Sequence, residues 1–372
     1  MNAAHAHEAE HYVGLMSGTS LDGVDAVLAE IGPAGQIRLL HTHYLPYPDA
    51  LREQLLALHT PQPDEIHLAA IAANALARLY AEAVKALLDG FAPDKVRAIG
   101  CHGQTLRHRP ADGYTLQIGN ASLLAELTGI VVVADFRSRD IAAGGQGAPL
   151  VPAFHARVLH QPDVHRVIAN VGGIANITDL PINGPVRGWD TGPGNMLLDA
   201  WIKRHSGVHY DCDGAWAASG SVHPGLMAAL MKHAYLQLPP PKSAGREQFN
   251  LDWLDAILGS LDEALAPPDV QATLLEFTAA SLADAVNREC VGAQELYVCG
   301  GGAHNAALMQ RIRAHLPDVG VATTAALGID PDWVEALAFA WLARQTLHHA
   351  PGNLPAVTGA RGERILGAIY PA

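Results

Sequence analysis

Along the chain, apolar and polar positions recur first at the period of a strand and then at the period of a helix. The apolar run Tyr12–Met16 stops at the turn Ser17–Gly18–Thr19–Ser20–Leu21–Asp22–Gly23 and resumes over Val24–Ile31. Pro33–Ala34–Gly35 marks a second turn and Gln36–His43 reads as a third strand, so the opening is an antiparallel meander. Asp49–Leu58 predicts a helix. Asp64–Leu88 predicts a longer one, with Ile66, Ala69, Ala73, Leu76, Tyr80, Val84 and Leu87 at helical spacing and Asp64 placed to cap it. Val96–Cys101, Leu116–Ile118 and Ile130–Ala134 read as strands, Asn120 as the cap of a helix to Leu127, and the glycine-rich stretch Gly144–Pro149 as a loop.

The opening pattern then returns. Val167–Val171 and Ile174–Thr178 are strands joined by Gly172–Gly173, and helical patterns follow over Asn195–Arg204 and Gln271–Glu289, with a loop at Pro239–Pro241 between them. The strand Glu295–Cys299 ends in Gly300–Gly301–Gly302, and Asn305 caps a helix to about His315. Asp330–Pro331 predicts the start of a last helix, to about Leu347, with proline at the first helical position, where its missing N–H costs nothing. The echo predicts an α/β fold of two like domains around a central cleft, each a mixed sheet flanked by helices. The expected boundaries are a flexible tail over 1–11, domain I over 12–135 with a C-terminal return at about 355–372, and domain II over 136–354.

A length of 372 residues suits two cores better than one. The net charge of −13 makes the chain a poor binder of nucleic acid or an anionic membrane, which need a basic face, while an anionic substrate would need a local positive site. The N-terminus lacks the cationic and apolar segments of a signal peptide, and no apolar run reaches the roughly 18 residues of a membrane span, so a cytoplasmic protein is expected. Cys101, Cys212, Cys290 and Cys299 form no C-x-x-C pair and are expected as free thiols.

Four glycine-rich stretches carry candidate chemistry. In Gly14–Asp25, glycines let backbone N–H groups approach phosphate oxygens, Ser17, Thr19 and Ser20 add hydroxyl donors, and Asp22 and Asp25 are candidate metal or water-shell ligands. The same pattern also fits an ordinary tight hairpin. Asn170–Thr178 is a second glycine hairpin, suited to clamping a polyphosphate from the other side. In Gly188–Asn195, Asp190 stands beside Thr-Gly-Pro-Gly at what reads as a rigid turn into a helix; it could take a proton from water or a sugar hydroxyl, or merely stabilise the turn. Gly300–Gly302 gives a flat ring room against backbone. Polar islands at Gly100–Thr105 and Asp135–Asp140 end apolar strands, where ligands of open α/β sheets collect, and Glu335 sits early in an apolar helix, as a helix-dipole contact or a carboxylate facing a sugar.

Taken in order, Gly14–Gly23, His102–Thr105, Gly144–Pro152, Asn170–Asn176, Asp190–Asn195 and the closing Leu366–Pro371 resemble the anhydro-N-acetylmuramic acid kinases over nearly the whole chain. The resemblance implies a two-domain actin-like ATPase (ribonuclease H-like) fold, ATP and Mg²⁺ as cofactors, a homodimer, and a role in peptidoglycan recycling. It implies an enzyme that hydrolytically opens the 1,6-anhydro bridge of the amino sugar and phosphorylates O6, with Asp190 as the base that activates water. By the same resemblance Gly18, Thr19, Ser20, Leu21, Asp22, Gly23, Val24, Asp25, Asn170, Gly172, Gly173, Gly300, Gly301, Gly302 and Asn305 contact ATP, with Asp22 or Asp25 nearer the metal. His102, Arg137, Gly192, Asn195 and Glu335 contact the sugar, and Arg137 or Arg139 would meet its lactyl carboxylate. The competing expectation is an amino-sugar hexokinase of the same fold acting on a reducing sugar.

Overall fold

The computed structural model describes residues 8–18, 20–33, 35–245 and 247–372. They form two compact units, one built from residues up to Leu159 together with Trp333–Ala372, the other from His160–Asp332. The first stretch of the chain holds β1 (Glu10–Met16), β2 (Gly23–Ile31), β3 (Ile37–Pro46), α1 (Asp49–Ala57), α2 (Glu65–Leu87), β4 (Val96–Cys101), β5 (Gln104–Arg109), β6 (Tyr114–Ile118), α3 (Ala121–Thr128), β7 (Val132–Ala134), α4 (Ser138–Ala142) and α5 (Val151–Val158). The second unit holds β8 (Arg166–Val171), β9 (Ile174–Leu180), β10 (Arg187–Pro193), α6 (Met196–Ser206), α7 (Ala215–Ala218), α8 (Pro224–Leu230), α9 (Ala234–Gln237), α10 (Leu251–Leu258), α11 (Pro267–Glu289), β11 (Glu295–Cys299), α12 (Ala306–His315) and β12 (Gly320–Thr323). The chain then returns with α13 (Val334–Leu347), α14 (Pro355–Thr358) and β13 (Ala368–Tyr370).

Both sheets repeat one plan. In the first, β1, β2 and β3 form an antiparallel meander, β4 adds parallel to β1, β7 parallel to β4, and β13 closes the edge antiparallel to β7. In the second, β8, β9 and β10 are the meander, β11 adds parallel to β8 and β12 parallel to β11. The expected duplication is therefore present as the same strand order and directions, the ribonuclease H-like arrangement, twice. Strands β2 and β8 are buried almost without interruption, as strands covered on both faces are, whereas the edge strand β3 is exposed at every second or third residue.

The first sheet is built around a glycine pair. Gly14 of β1 lies opposite Gly100 of β4, and α13 crosses both strands there. A Cβ on Gly14 would run into the carbonyl of Ala336, and one on Gly100 into the carbonyl of Phe339. The helix backbone thus rests directly on the sheet, which explains why α13 is buried almost all round, from Ala336 through Ala343. The second unit has its core helix in α11, which like α2 links the meander to its parallel strand and whose Val270, Leu274, Phe277 and Leu282 cluster with Trp189 and Phe249.

Several expected boundaries move. The last helix starts at Val334 rather than Asp330–Pro331: Pro331 O accepts from Gly300 N–H at 3.0 Å and Asp330 accepts from Asp332 N–H at 3.0 Å, and these bonds hold a turn. Asp64 stands at the start of α2 but is left-handed (φ 58°), so its side chain accepts no capping bond. Asn120 and Asn305 do cap, accepting from Leu123 N–H and Leu308 N–H. Glu10 and His11, expected in the tail, are paired in β1. The units divide at Leu159/His160 and Asp332/Trp333 instead of near 136 and 354. The reason is that Phe154 of α5 meets Trp341 of α13 edge-on at 6.1 Å, and buried Asp140 of α4 accepts from Asn353 and Thr358 at 2.6 and 2.8 Å.

Because no space separates α13 from the glycine pair, Gly14→Ala or Gly100→Ala should destabilise the chain by about 1–3 kcal/mol or more through overpacking. Urea denaturation of each variant against the parent checks this; an unchanged midpoint would show that the helix can lift off the strands freely.

Candidate active site

In the first unit the β1–β2 turn is fixed from beneath. Ser17 shares a buried hydrogen bond with Tyr80 at 3.0 Å, and Gln104 donates to Gly18 O at 3.0 Å while accepting from Tyr47 OH at 3.0 Å. Leu21 is left-handed (φ 56°) with its side chain in the core, a conformation that a bulky residue adopts only when its surroundings enforce it. Asp22 O accepts from Tyr47 N–H and Tyr44 OH, both at 2.9 Å, and the Asp22 carboxylate, exposed, accepts from Ser20 at 2.8 Å. Among the residues expected to meet ATP here, Gly18, Ser20 and Asp22 face outward, Gly23 and Val24 are buried, and Asp25 is half-buried in β2. Thr19 lies outside the described residues. Leu21 and Val24 can offer a ligand only backbone atoms.

His102, Arg137 and Glu335 meet in the same unit. Arg137 Nε and Nη2 donate to His102 Nε2 at 3.2 and 2.9 Å, and Nη1 donates to Gly147 O at 2.8 Å. An imidazole accepting at Nε2 carries its proton on Nδ1, and the backbone of Gly103 and Ser17 also reaches the buried ring. Burial, then the adjacent Arg137 charge, push the His102 pKa down to about 3, so the ring is neutral at any working pH. Its face packs on Phe339 of α13 at 4.8 Å. Burial draws Arg137 down to about 10 against the opposing pull of Glu335, and burial raises Glu335 above the ordinary carboxylate range while Arg137 opposes it. A cation, a half-buried carboxylate and a neutral imidazole thus lie together, a set suited to a small polar molecule bearing both hydroxyls and an anion. Arg139, by contrast, is exposed.

The second unit gathers the other motifs. Asn195 Nδ2 donates to Val171 O at 3.1 Å and its N–H to Gly172 O at 2.8 Å, so the start of α6 is tied to the β8–β9 hairpin. Gly300 (φ 75°) sits so close that a Cβ there would strike Asn170 Oδ1, and one at Gly302 would strike Val171. Over Gly172, Gly173 and Gly301 a Cβ would meet nothing closer than 3.6 Å, so the backbone there is bare but not tightly overlaid. Asn305 spends its Oδ1 on capping α12.

Asp190 does not sit in a turn: it lies within β10, opposite Asn176 of β9, just before a bulge at Gly192 (φ 151°). Its Oδ2 accepts from Ala244 N–H at 2.9 Å, and Oδ1 has no partner among the described residues. Burial raises its pKa to about 6, with the Ala244 N–H opposing. A half-buried carboxylate with one oxygen held and one free is equipped to accept a proton near neutrality. The residues that hold Asp190, namely Tyr235, Lys242 and Ala244, escaped the sequence reading, since only a loop at Pro239–Pro241 was visible there.

The chemistry of these residues fits Mg²⁺ delivered with a nucleotide. No group of three His, Cys, Asp or Glu side chains among the described residues could hold a metal alone. Mg²⁺ commonly takes one or two carboxylates and completes its shell with water and phosphate oxygens, which the exposed Asp22 beside an open glycine turn permits. Gln104→Ala should cost about 1–3 kcal/mol, because it removes an acceptor from the buried Tyr47 hydroxyl, leaving it only Ser17 and Tyr80, and releases Gly18 O. Chemical denaturation, with hydrogen exchange at Leu21 N–H, measures it; an unaltered exchange rate would mean the turn holds itself.

Comparison with known proteins identifies a family. A family model described as anhydro-N-acetylmuramic acid kinase matches residues 10–372. The anhydro-N-acetylmuramic acid kinase of Thiobacillus denitrificans is 77% identical over 372 residues, covering 100% of both chains. That of Nitrosomonas europaea is 56% identical, covering 97% of this chain and 100% of its own. Among solved structures, component A of the Acidaminococcus fermentans (R)-2-hydroxyglutaryl-CoA dehydratase superposes with a TM-score of 0.48 at 10% identity, over 89% of this chain and 96% of that one, too loose a likeness to add to the fold described. With a family match from the first strand to the last residue, the chain belongs to the anhydro-N-acetylmuramic acid kinase family.

Proposed function

We infer that this chain is an ATP-dependent sugar kinase that opens 1,6-anhydro-N-acetylmuramic acid with water and phosphorylates O6, releasing N-acetylmuramic acid 6-phosphate and ADP. Full-length membership of the family supports the activity. The observation that carries the mechanism is Asp190, with Oδ2 pinned by Ala244 N–H and Oδ1 without a partner among the described residues. In this reading Oδ1 takes a proton from water as the water attacks C1. The C1–O6 bond breaks, and O6 takes the γ-phosphoryl group instead of a proton, so no separate acid is needed. The bare backbone at Gly172, Gly173 and Gly301 and the Gly18–Asp22 turn bind phosphate and nucleotide, Arg137 pairs with the lactyl carboxylate, and Glu335 accepts from a sugar hydroxyl. Mg²⁺ held at Asp22 would neutralise phosphate charge.

Cytoplasmic location, homodimeric assembly and a place in cell-wall amino-sugar recycling accompany this reading. No helix among the described residues is long and apolar enough to cross a membrane. Analytical ultracentrifugation distinguishes a dimer near twice 39.3 kDa from a monomer.

Turnover run in ¹⁸O-water should place ¹⁸O at C1, and Asp190→Asn should abolish turnover while binding of the anhydro sugar survives. Turnover on reducing amino sugars alone would replace this reading with a hexokinase. Since Asp190 is protonated below about 6, kcat/KM should fall tenfold per pH unit beneath that value. The linkage runs the opposite way: a raised carboxylate pKa means folded-state stability is lost as pH climbs from the ordinary range through about 6. Asp190→Asn should therefore be at least as stable as the parent at pH 8, as thermal melts would reveal.

A further inference from the structure

Strand β10 is an edge of the second sheet, paired on one side only, with β9. On its open side the segment from Tyr235 to Ala244 makes three hydrogen bonds to a single residue. Asp190 N–H donates to Lys242 O at 3.1 Å, Tyr235 OH donates to Asp190 O at 2.8 Å, and Ala244 N–H donates to Asp190 Oδ2 at 2.9 Å. Backbone donor, backbone acceptor and side chain of the same residue are thus all held by one short stretch of chain.

That stretch is braced against itself. Lys242 Nζ donates to Tyr235 O and Leu236 O at 3.1 and 3.3 Å and stands 4.7 Å over the Tyr235 ring. Tyr235 in turn packs edge-on against Phe249 at 5.8 Å. Between the two anchors run Pro239, Pro240 and Pro241, whose rings restrict the backbone and lower the entropy lost on ordering it. Tyr235 and Lys242 therefore close a small loop whose far end carries Ala244 N–H.

We propose that Tyr235 and Lys242 are positioning residues for the kinase reaction: they fix the 239–244 segment so that Ala244 N–H holds Asp190 Oδ2 and Oδ1 alone is left to take the proton. The inference rests on the reading of Asp190 as the base. Neither side chain is asked to touch substrate. Loosening the segment has two consequences. The carboxylate is free to rotate, which slows proton transfer, and it loses an N–H donor that favours its charged form. The other charged groups facing the segment are Asp284, Arg288 and Glu289 of α11; they act on Lys242, and Asp190 itself acts on the Tyr235 phenol.

The test uses the full chain with Tyr235→Phe, Lys242→Met, Lys242→Arg and Asp190→Asn measured together. Tyr235→Phe and Lys242→Met should lower kcat by roughly 10- to 100-fold, leave KM for sugar and ATP within about threefold, and move the acid limb of kcat/KM to higher pH; Lys242→Arg should restore part of the rate. Should Tyr235→Phe fail to fold, Lys242→Met carries the same prediction without altering a core aromatic side chain. An unmoved acid limb in folded variants, whether kcat falls or not, overturns the inference and leaves the segment a structural brace. Full turnover by Asp190→Asn overturns the base assignment itself, and with it the reason for positioning. Loss of turnover in Asp190→Asn with parental rates and pH profiles in the other variants refutes the positioning role alone.

Discussion

The contact of α13 with Gly14 and Gly100 is the constraint on which the first unit depends. Two glycines face each other on adjacent parallel strands and let a helix backbone settle onto the sheet with no side chain between. The close approach brings Phe339 against His102 and Phe136, and places Glu335, one turn earlier, where the Arg137 charge reaches it. The imidazole, guanidinium and carboxylate come from β4–β5, the start of α4 and the start of α13, and share an environment only because the helix sits so low. Burial then does the electrostatic work: the ring stays neutral, the guanidinium is partly desolvated and the carboxylate is raised, each for want of water.

A second constraint is Asp140. Its carboxylate is buried and accepts from Gly147 N–H, Asn353 and Thr358, and so knots the 144–149 loop to the returning C-terminal segment. The same loop supplies Gly147 O to Arg137. The orientation of the guanidinium therefore depends on residues more than 200 positions apart, with Asp140 and Thr358 separated by 218. In the second unit the burden falls on the β8–β9 hairpin, where the glycines of three separate stretches meet because none of them has a side chain to keep the others away.

Much of this was legible in the sequence. Strand and helix periods located most elements to within a few residues, and the returning strand–glycine–strand unit announced the repeated sheet. The residues with candidate chemistry also fell into coherent groups, since His102, Arg137 and Glu335 meet in one unit and Asn170, Gly172, Asn195 and Gly300 in the other. What could not be read was set by long-range contact. Asp190 looked like a turn residue because Thr-Gly-Pro-Gly follows it, yet tertiary pairing draws the whole stretch into β10. Pro331 looked like a helix start until the Gly300 N–H claimed its carbonyl. The division between units rests on the same kind of contact: α5 and α13 belong together through Phe154 and Trp341, which no local pattern reveals.

The segment beside β10 has one further consequence, for the behaviour of the protein in a crowded solution. An unpaired edge strand displays a row of free N–H and C=O groups, which invites another chain to add a strand and begin an aggregate. Here the open edge at Asp190 is occupied by a partner that cannot continue as a strand, since its three successive prolines offer no N–H to a ladder. The feature that grips the carboxylate is also a plug against edge-to-edge association.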